Sequence, residues 1–234
     1  MKSLLWLSTV RATDRPLLGG KAAMLGEMLA AGFRVPNGFV VLEAASDEEC
    51  LAAFDQLGAA RVAVRSSAIA EDGQKQSWAG ALETFLPVDR ALLIEKIAAC
   101  RASGQAKRAQ AYGEAGRVAV IIQTMVKSEV SGVLFSVDPV SNDADLLLIE
   151  GSRGLGEAVV SGSVIPEHIV VSKKTGAIVE KQNHGPSVLT DAMVAELAVM
   201  ARKVERLLGA PVDIEWTYAE GKLYLLQARP ITTL

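Results

Sequence analysis

The stretch VDIEWTYAEGKLYLLQARP, residues Val212 to Pro230, decides how the chain folds around its chemistry. Ile214, Trp216 and Tyr218 alternate with Asp213, Glu215 and Thr217; Tyr224, Leu226 and Ala228 alternate with Leu225, Gln227 and Arg229. Period-two patterning of this kind predicts two strands, each with one apolar face. Between them, AEGK supplies a turn in which Gly221 is free to take positive φ. A three-residue loop centred on Gly221 places Glu215 opposite Gln227 and Asp213 opposite Arg229, so four polar groups share one face. Two readings follow. One is a solvated outer face with a cross-strand ion pair worth a few tenths of a kcal/mol. The other is a metal and phosphate site, because hard cations such as Mg²⁺ take carboxylate and amide oxygens, and arginine grips phosphate with a fixed fork of donors.

Composition narrows the setting. A chain of 234 residues, half of them hydrophobic, can bury a sizeable core in one large domain or two lobes. With 24 basic and 27 acidic residues the net charge is −3, which gives no electrostatic signature of a nucleic-acid or membrane partner. The N-terminal apolar run LLWL is too short for a secretory signal, and no segment approaches a membrane span. Cys50 and Cys100 lack the spacing of a zinc site or disulfide framework, and His168 and His184 lie far from both in sequence. A cytoplasmic, reducing location is the expectation.

Upstream of the hairpin, the opening residues read as strand, Gly-rich turn, helix and strand, with Met24, Leu25, Met28 and Leu29 as the helical stripe and Gly32 at its C′ position. Ser46 and Glu49 form a capping box for a short helix ending at Gly58. RVAVRSSA and LETFLPV read as strands, with a helix beginning near Asp89. Apolar runs at VAVIIQTMV, GVLFSVD, DLLLIEG and HIVVSKKTGAIVEK predict further strands, followed by a helix from about Asp191 to Leu208. Clusters of strands and helices without strict βαβ alternation favour an α+β fold with two lobes, 1–116 and 117–234, divided near Gly113–Arg117.

Four further features carry candidate chemistry. LGGK puts Lys21 after two glycines at a helix start, where free N–H groups and an ammonium can meet phosphate, although the P-loop spacing is absent. Arg65, Ser66 and Ser67 end a buried-looking strand. SWAGALET offers Gly80 and Thr84 in a small-residue loop whose amides can close over phosphates. GSRGLGEAVVSG concentrates glycine around Glu157, which implies unusual backbone angles or close approach of a ligand. Each taken alone is also an ordinary turn or surface feature.

Together, GGKAAMLGEMLAAGFRVPNGFVV, VAVRSSAIAEDGQKQSWAGALETFL, VAVIIQTMV, SGVLFSVDP, GSRGLGEAVVSGSVIPEHIVV and DIEWTYAEGKLYLLQARPIT, in this order from about Gly19 to Thr232, resemble the ATP-binding domain of the phosphoenolpyruvate synthase and pyruvate phosphate dikinase family, shared by rifampicin phosphotransferase. The resemblance implies an ATP-grasp fold whose two lobes close on the nucleotide. It also implies that Lys21 and Arg65 contact the phosphates and, with Arg229, serve catalysis. Gly80 and Thr84 would belong to a flap, and Gln123, Met125 and Val126 would line the adenine site. Glu215 and Gln227 would hold Mg²⁺, supported by Asp213 and Arg229. In the family, ATP is cleaved to AMP and phosphate, and phosphoryl passes through a histidine on a swivelling domain.

That domain has no counterpart among the matched motifs, and neither His168 nor His184 lies in anything like the family's Thr-Ser-His segment. The resemblance therefore implies a phosphotransferase component whose phosphoacceptor histidine sits on a separate domain or partner chain. A non-catalytic nucleotide-binding module is the alternative, but Lys21, Arg65, Glu215, Gln227 and Arg229 are all present. Two departures from the family stand out: a short span between FVVL and RVAVRSSA, and few bulky apolar residues in ACRASGQAKRAQAYGEAGR.

Overall fold

A computed structural model describes residues 3–68, 84–112, 118–139, 141–183 and 185–231. The chain divides into two compact units, Met1–Val126 and Lys127–Leu234. The division falls after the expected 116/117 boundary, because strand β5 (Val118–Thr124) hydrogen-bonds between β2 (Gly38–Val41) and β3 (Val62–Ala68) in the first unit's sheet. An apolar run carries no mark of which sheet it joins. Pairing partners decide that.

The first unit is built on a five-stranded antiparallel sheet in the order β1-β2-β5-β3-β4, with β1 at Leu4–Trp6 and β4 at Thr84–Val88. One face packs Phe39, Val41, Val62, Val64, Val120 and Ile122 against helices α2 (Asp47–Leu57) and α3 (Leu93–Tyr112), and both buried cysteines, Cys50 and Cys100, belong to this core. The capping box forms as expected: Glu49 N–H donates to Ser46 Oγ at 3.2 Å, and Ser46 N–H donates to Glu49 Oε2 at 2.8 Å. Helix α3 begins at Leu93, one turn after Asp89, whose carboxylate accepts from the N–H groups of Ala91 and Leu92 and so caps the turn that leads into the helix.

Helix α1 (Arg15–Ala30) lies on the opposite face, where Ala22 N–H donates to Ser67 Oγ at 3.0 Å. It is broken at Gly19, at φ 82° and ψ 169°, and a Cβ there would stand 2.7 Å from Ser67 backbone and side-chain atoms. Only glycine satisfies both the angle and the approach. The helix ends in a Schellman arrangement, with Gly32 N–H donating to Leu29 O and Phe33 N–H to Met28 O.

The second unit is a six-stranded antiparallel sheet in the order β11-β10-β6-β7-β8-β9. Its strands are β6 (Val130–Phe135), β7 (Leu146–Arg153), β8 (Glu167–Ser172), β9 (Ile178–Gln182), β10 (Val212–Ala219) and β11 (Lys222–Pro230). Helix α5 (Asp191–Leu208) covers the face that carries Ile214, Trp216 and Tyr218, and Tyr218 Oη donates to Glu196 Oε2 at 2.7 Å. Trp216 is fully buried, its six-membered ring lying against Gly132 and Gly151. The entry to α5 is anchored by the buried Glu167 carboxylate, which accepts from Ser187 Oγ, from the N–H groups of Val188 and Leu189, and from Lys181. Short helix α4 (Glu157–Val160) follows the Gly-rich turn, where Gly154 adopts φ 85°, as the concentration of glycine predicts.

Candidate functional site

The hairpin pairs Asp213 with Arg229, Ile214 with Ala228 and Glu215 with Gln227, the register expected from sequence, but by a different route. The loop has two residues, Glu220 and Gly221, both at positive φ (52° and 67°), as a type I′ turn requires. Such a turn alone would shift the pairing by one residue. A β-bulge between Glu215 and Trp216 restores it: Trp216 pairs with Leu225, leaving Leu226 as the extra residue of β11. The bulge also changes which side chains are buried. Leu223 and Leu225 pack into the core, while Tyr224 and Leu226, expected on the apolar face, are half-exposed.

On the face away from α5, Arg229 donates through Nε (2.7 Å) and Nη2 (2.6 Å) to the same oxygen of Asp213. The Asp213 side chain is 11% exposed and that of Arg229 36% exposed, so this is no solvated rim pair. Burial pushes the Asp213 carboxyl above the usual carboxylate range, and the guanidinium partly offsets that rise. Glu215 and Gln227 lie two pairs further along, half-buried on the same face. Their oxygens suit a hard cation, and two side chains leave coordination positions for phosphate oxygens and water. No group of three or more His, Cys, Asp or Glu side chains able to hold a metal occurs among the described residues.

Neighbouring strands define the rest of this face. Glu215 pairs with Val133, Val133 with Glu150, Glu150 with His168, and His168 with Gln182. At one flank, Thr217 and Ser131 are buried and share a 2.7 Å hydroxyl contact, with the Gly156 position packed over Ser131. The Gly-rich turn thus borders the polar face. Glu129 ties the two together: its carbonyl accepts from Gly154 N–H, and its carboxylate accepts from Glu220 N–H in the hairpin turn.

In the first unit, Lys21 and Arg65 come to adjacent points of β3. Lys21 Nζ donates to Ser66 O at 3.2 Å, and the buried Arg65 donates through Nη1 to Gln123 Oε1 at 3.4 Å. Gln123 is also buried and donates to Pro36 O. Met125 and Val126 are half-buried, and Met125 N–H donates to Arg61 O at 3.0 Å. Thr84 opens β4, paired with Arg65. Gly80 and most of the expected flap lie outside the described residues, as does His184. The sequence reading did not single out Glu129, Glu150 or Glu167; register and loop contacts give them their places, and no local motif marks them.

A two-unit α+β chain with antiparallel sheets and this oxygen-rich face defines an ATP-grasp nucleotide-binding domain. The chain belongs to the pyruvate phosphate dikinase AMP/ATP-binding domain family, which it matches over residues 43–188 and 179–234. It is 33% identical to the probable phosphoenolpyruvate synthase of Methanocaldococcus jannaschii, aligned over 100% of this chain and 27% of that protein. It is 41% identical to the phosphoenolpyruvate synthase of Pyrococcus furiosus, over 74% of this chain and 26% of that protein. It is 32% identical to the prodigiosin synthesizing transferase PigC of Serratia marcescens, over 97% of this chain and 33% of that protein. The chain thus spans about a quarter to a third of the length of these three relatives. The crystal structure of PH1788 from Pyrococcus horikoshii shares the fold, with a TM-score of 0.53 at 14% identity, covering 90% of this chain and 91% of that one. Among the described residues, no helix is long and apolar enough to cross a membrane.

Proposed function

We propose that this chain is the ATP-binding component of a Mg²⁺-dependent phosphotransferase of the phosphoenolpyruvate synthase and pyruvate phosphate dikinase type, acting in the cytoplasm. It cleaves ATP and passes phosphoryl to a histidine on a separate domain or partner chain. The observation that carries this reading is the pairing of Glu215 with Gln227 beside the buried Asp213–Arg229 ion pair, in a chain of an ATP-binding family. Glu215 and Gln227 hold Mg²⁺, which neutralises charge on the transferring phosphoryl when bound. Asp213 fixes the Arg229 guanidinium for phosphate oxygens, and Lys21 and Arg65 are the phosphate-contacting cations of the first unit. Gly80 and Thr84 belong to the phosphate flap, and Gln123, Met125 and Val126 line the adenine site. The relatives extend well beyond the matched region, which supports placing the phosphoacceptor outside these residues.

Titration calorimetry with ATP, with and without Mg²⁺, tests the reading, followed by product analysis for AMP against ADP. Mg²⁺-dependent binding that weakens in Arg65→Ala and Glu215→Ala is the expected result. Unchanged Mg·ATP binding in both variants refutes the site assignment, and no binding at millimolar ATP refutes the function.

A further inference from the structure

The hairpin carries one residue more than its pairing needs. From the turn, Ala219–Lys222, Tyr218–Leu223, Thr217–Tyr224 and Trp216–Leu225 run in one register, and the next pair is Glu215–Gln227, with Leu226 passed over. Continued without the bulge, that register would set Gln227 opposite Ile214 and Arg229 opposite Val212, on the face where Ile214 and Val212 are fully buried. Burying an amide and a guanidinium there is costly, so the chain as it stands does not close as a regular hairpin. Without Leu226 the same pairs would form in a regular ladder: Leu223, Leu225 and Ala228 would still alternate inward, and Tyr224, Gln227 and Arg229 outward. Nor does the core gain a side chain from the extra residue, because Leu226 and Gln227 are both half-buried, between the buried Leu225 and Ala228. The irregularity is also confined. β10 pairs with β6 without a shift from Asp213 to Tyr218, and β11 is the last strand of the sheet, so no other ladder among the described residues is disturbed. The bulge stands at the Glu215 pair and nowhere else in the hairpin.

We propose that Leu226 is a positioning residue: through its backbone it bulges β11 opposite Glu215, aims the Gln227 amide toward the Glu215 carboxylate and so presets two oxygens for one cation, while the hairpin folds without it. This rests on the ATP-binding reading above. In a flat ladder the side chains of an opposed pair stand side by side, their Cβ atoms about 5 Å apart, and converge only by rotamer choice. Mg²⁺ holds its oxygens at about 2.1 Å in near-ideal octahedral geometry, which parallel and freely rotating side chains meet poorly. A bulge bends its strand and steepens the local twist, which re-aims the side chain beside the extra residue. An amide aimed in advance needs less ordering when the ion arrives.

The test deletes Leu226 from the whole chain and compares the product with wild type, Leu226→Ala and Glu215→Ala. The probe is inorganic tripolyphosphate, by calorimetry with and without Mg²⁺ and by electron paramagnetic resonance with Mn²⁺. It has no base or sugar, so contacts of the Leu226 side chain with the rest of a nucleotide do not register. Thermal melts report folding. The deletion variant is expected to melt cooperatively near the wild-type temperature and to lose roughly tenfold to a hundredfold of the Mg²⁺-dependent affinity, the range for disturbing groups that orient metal ligands. Its metal-free affinity for tripolyphosphate stays unchanged. Leu226→Ala, which keeps the extra residue, retains the wild-type metal dependence. A deletion variant that binds Mg²⁺-tripolyphosphate like wild type overturns the proposal and leaves the bulge as a guard against edge pairing. One that fails to fold overturns it too, because the bulge then serves the fold. So does a Leu226→Ala that loses as much as the deletion, which assigns the effect to the side chain. Glu215→Ala tests the metal site itself: if wild type shows no Mg²⁺-dependent binding, or shows binding that Glu215→Ala does not weaken, the metal assignment fails first and this proposal with it.

Discussion

Removing Arg229 leaves the Asp213 carboxylate in place without its guanidinium, and the two halves of the pair are unequally exposed. Breaking a buried ion pair from one side costs about 3–5 kcal/mol because the remaining charge is stranded. Arg229 is more than a third exposed, so solvent already screens part of the pair, and we expect Arg229→Ala to cost about 2–3 kcal/mol at pH 7. The reverse change, Asp213→Asn, leaves a cation that can swing to water and costs only about 1 kcal/mol. The double variant Asp213→Asn/Arg229→Ala is therefore more stable than Arg229→Ala alone. A pH dependence follows.

Burial already holds the native Asp213 carboxyl above its unfolded value, and losing the guanidinium raises it further. A carboxyl whose folded pKa is raised binds its proton more tightly in the native state. Its contribution is fully present below the unfolded pKa, about 4, and is lost as pH rises through the folded pKa. The Arg229→Ala penalty should thus shrink as pH falls from 7 toward 4. Urea denaturation at a series of pH values measures this. Equal penalties for the two single variants, or a penalty for Arg229→Ala that grows on acidification, would refute the assignment of Asp213 as the stranded buried charge.

Two other outcomes follow from the second unit. Trp216→Ala should lose about 3–5 kcal/mol in urea denaturation, since the side chain is fully buried against Gly132 and Gly151. Trp216→Phe should lose much less, because the buried indole Nε1 has no hydrogen-bond partner among the described residues. At Glu167 the sign of the pH effect is the opposite of that at Asp213. Burial alone would raise its pKa, but the hydrogen bonds from Ser187, Leu189, Val188 and Lys181 outweigh that and hold it below the ordinary value. Its stabilisation is present above the unfolded pKa, about 4.3, and is lost as pH falls through the folded pKa. Glu167→Gln should remove that part of the acid sensitivity in pH-dependent melts.

Local chemistry was legible in the chain wherever one residue type has few physical uses. Ser46 and Glu49 specify a helix start, Gly32 and Gly58 specify helix ends, and alternation from Val212 to Tyr218 specifies a strand with Asp213 and Glu215 on one face. The ordered motifs carried the family, and with it the expectation of ATP. Tertiary structure decided what depends on partners. The register opposite Glu215 came from a two-residue turn and a compensating bulge, two shifts whose sum leaves no trace in spacing but exchanges Leu223 and Leu225 for Tyr224 and Leu226 in the core. Membership of β5 in the first sheet was fixed by its hydrogen bonds to β2 and β3, which an apolar run does not encode. The meeting of Glu150 with His168, in one row with Glu215, exists only through strand order, because residues far apart in sequence become neighbours when sheet pairing sets them side by side.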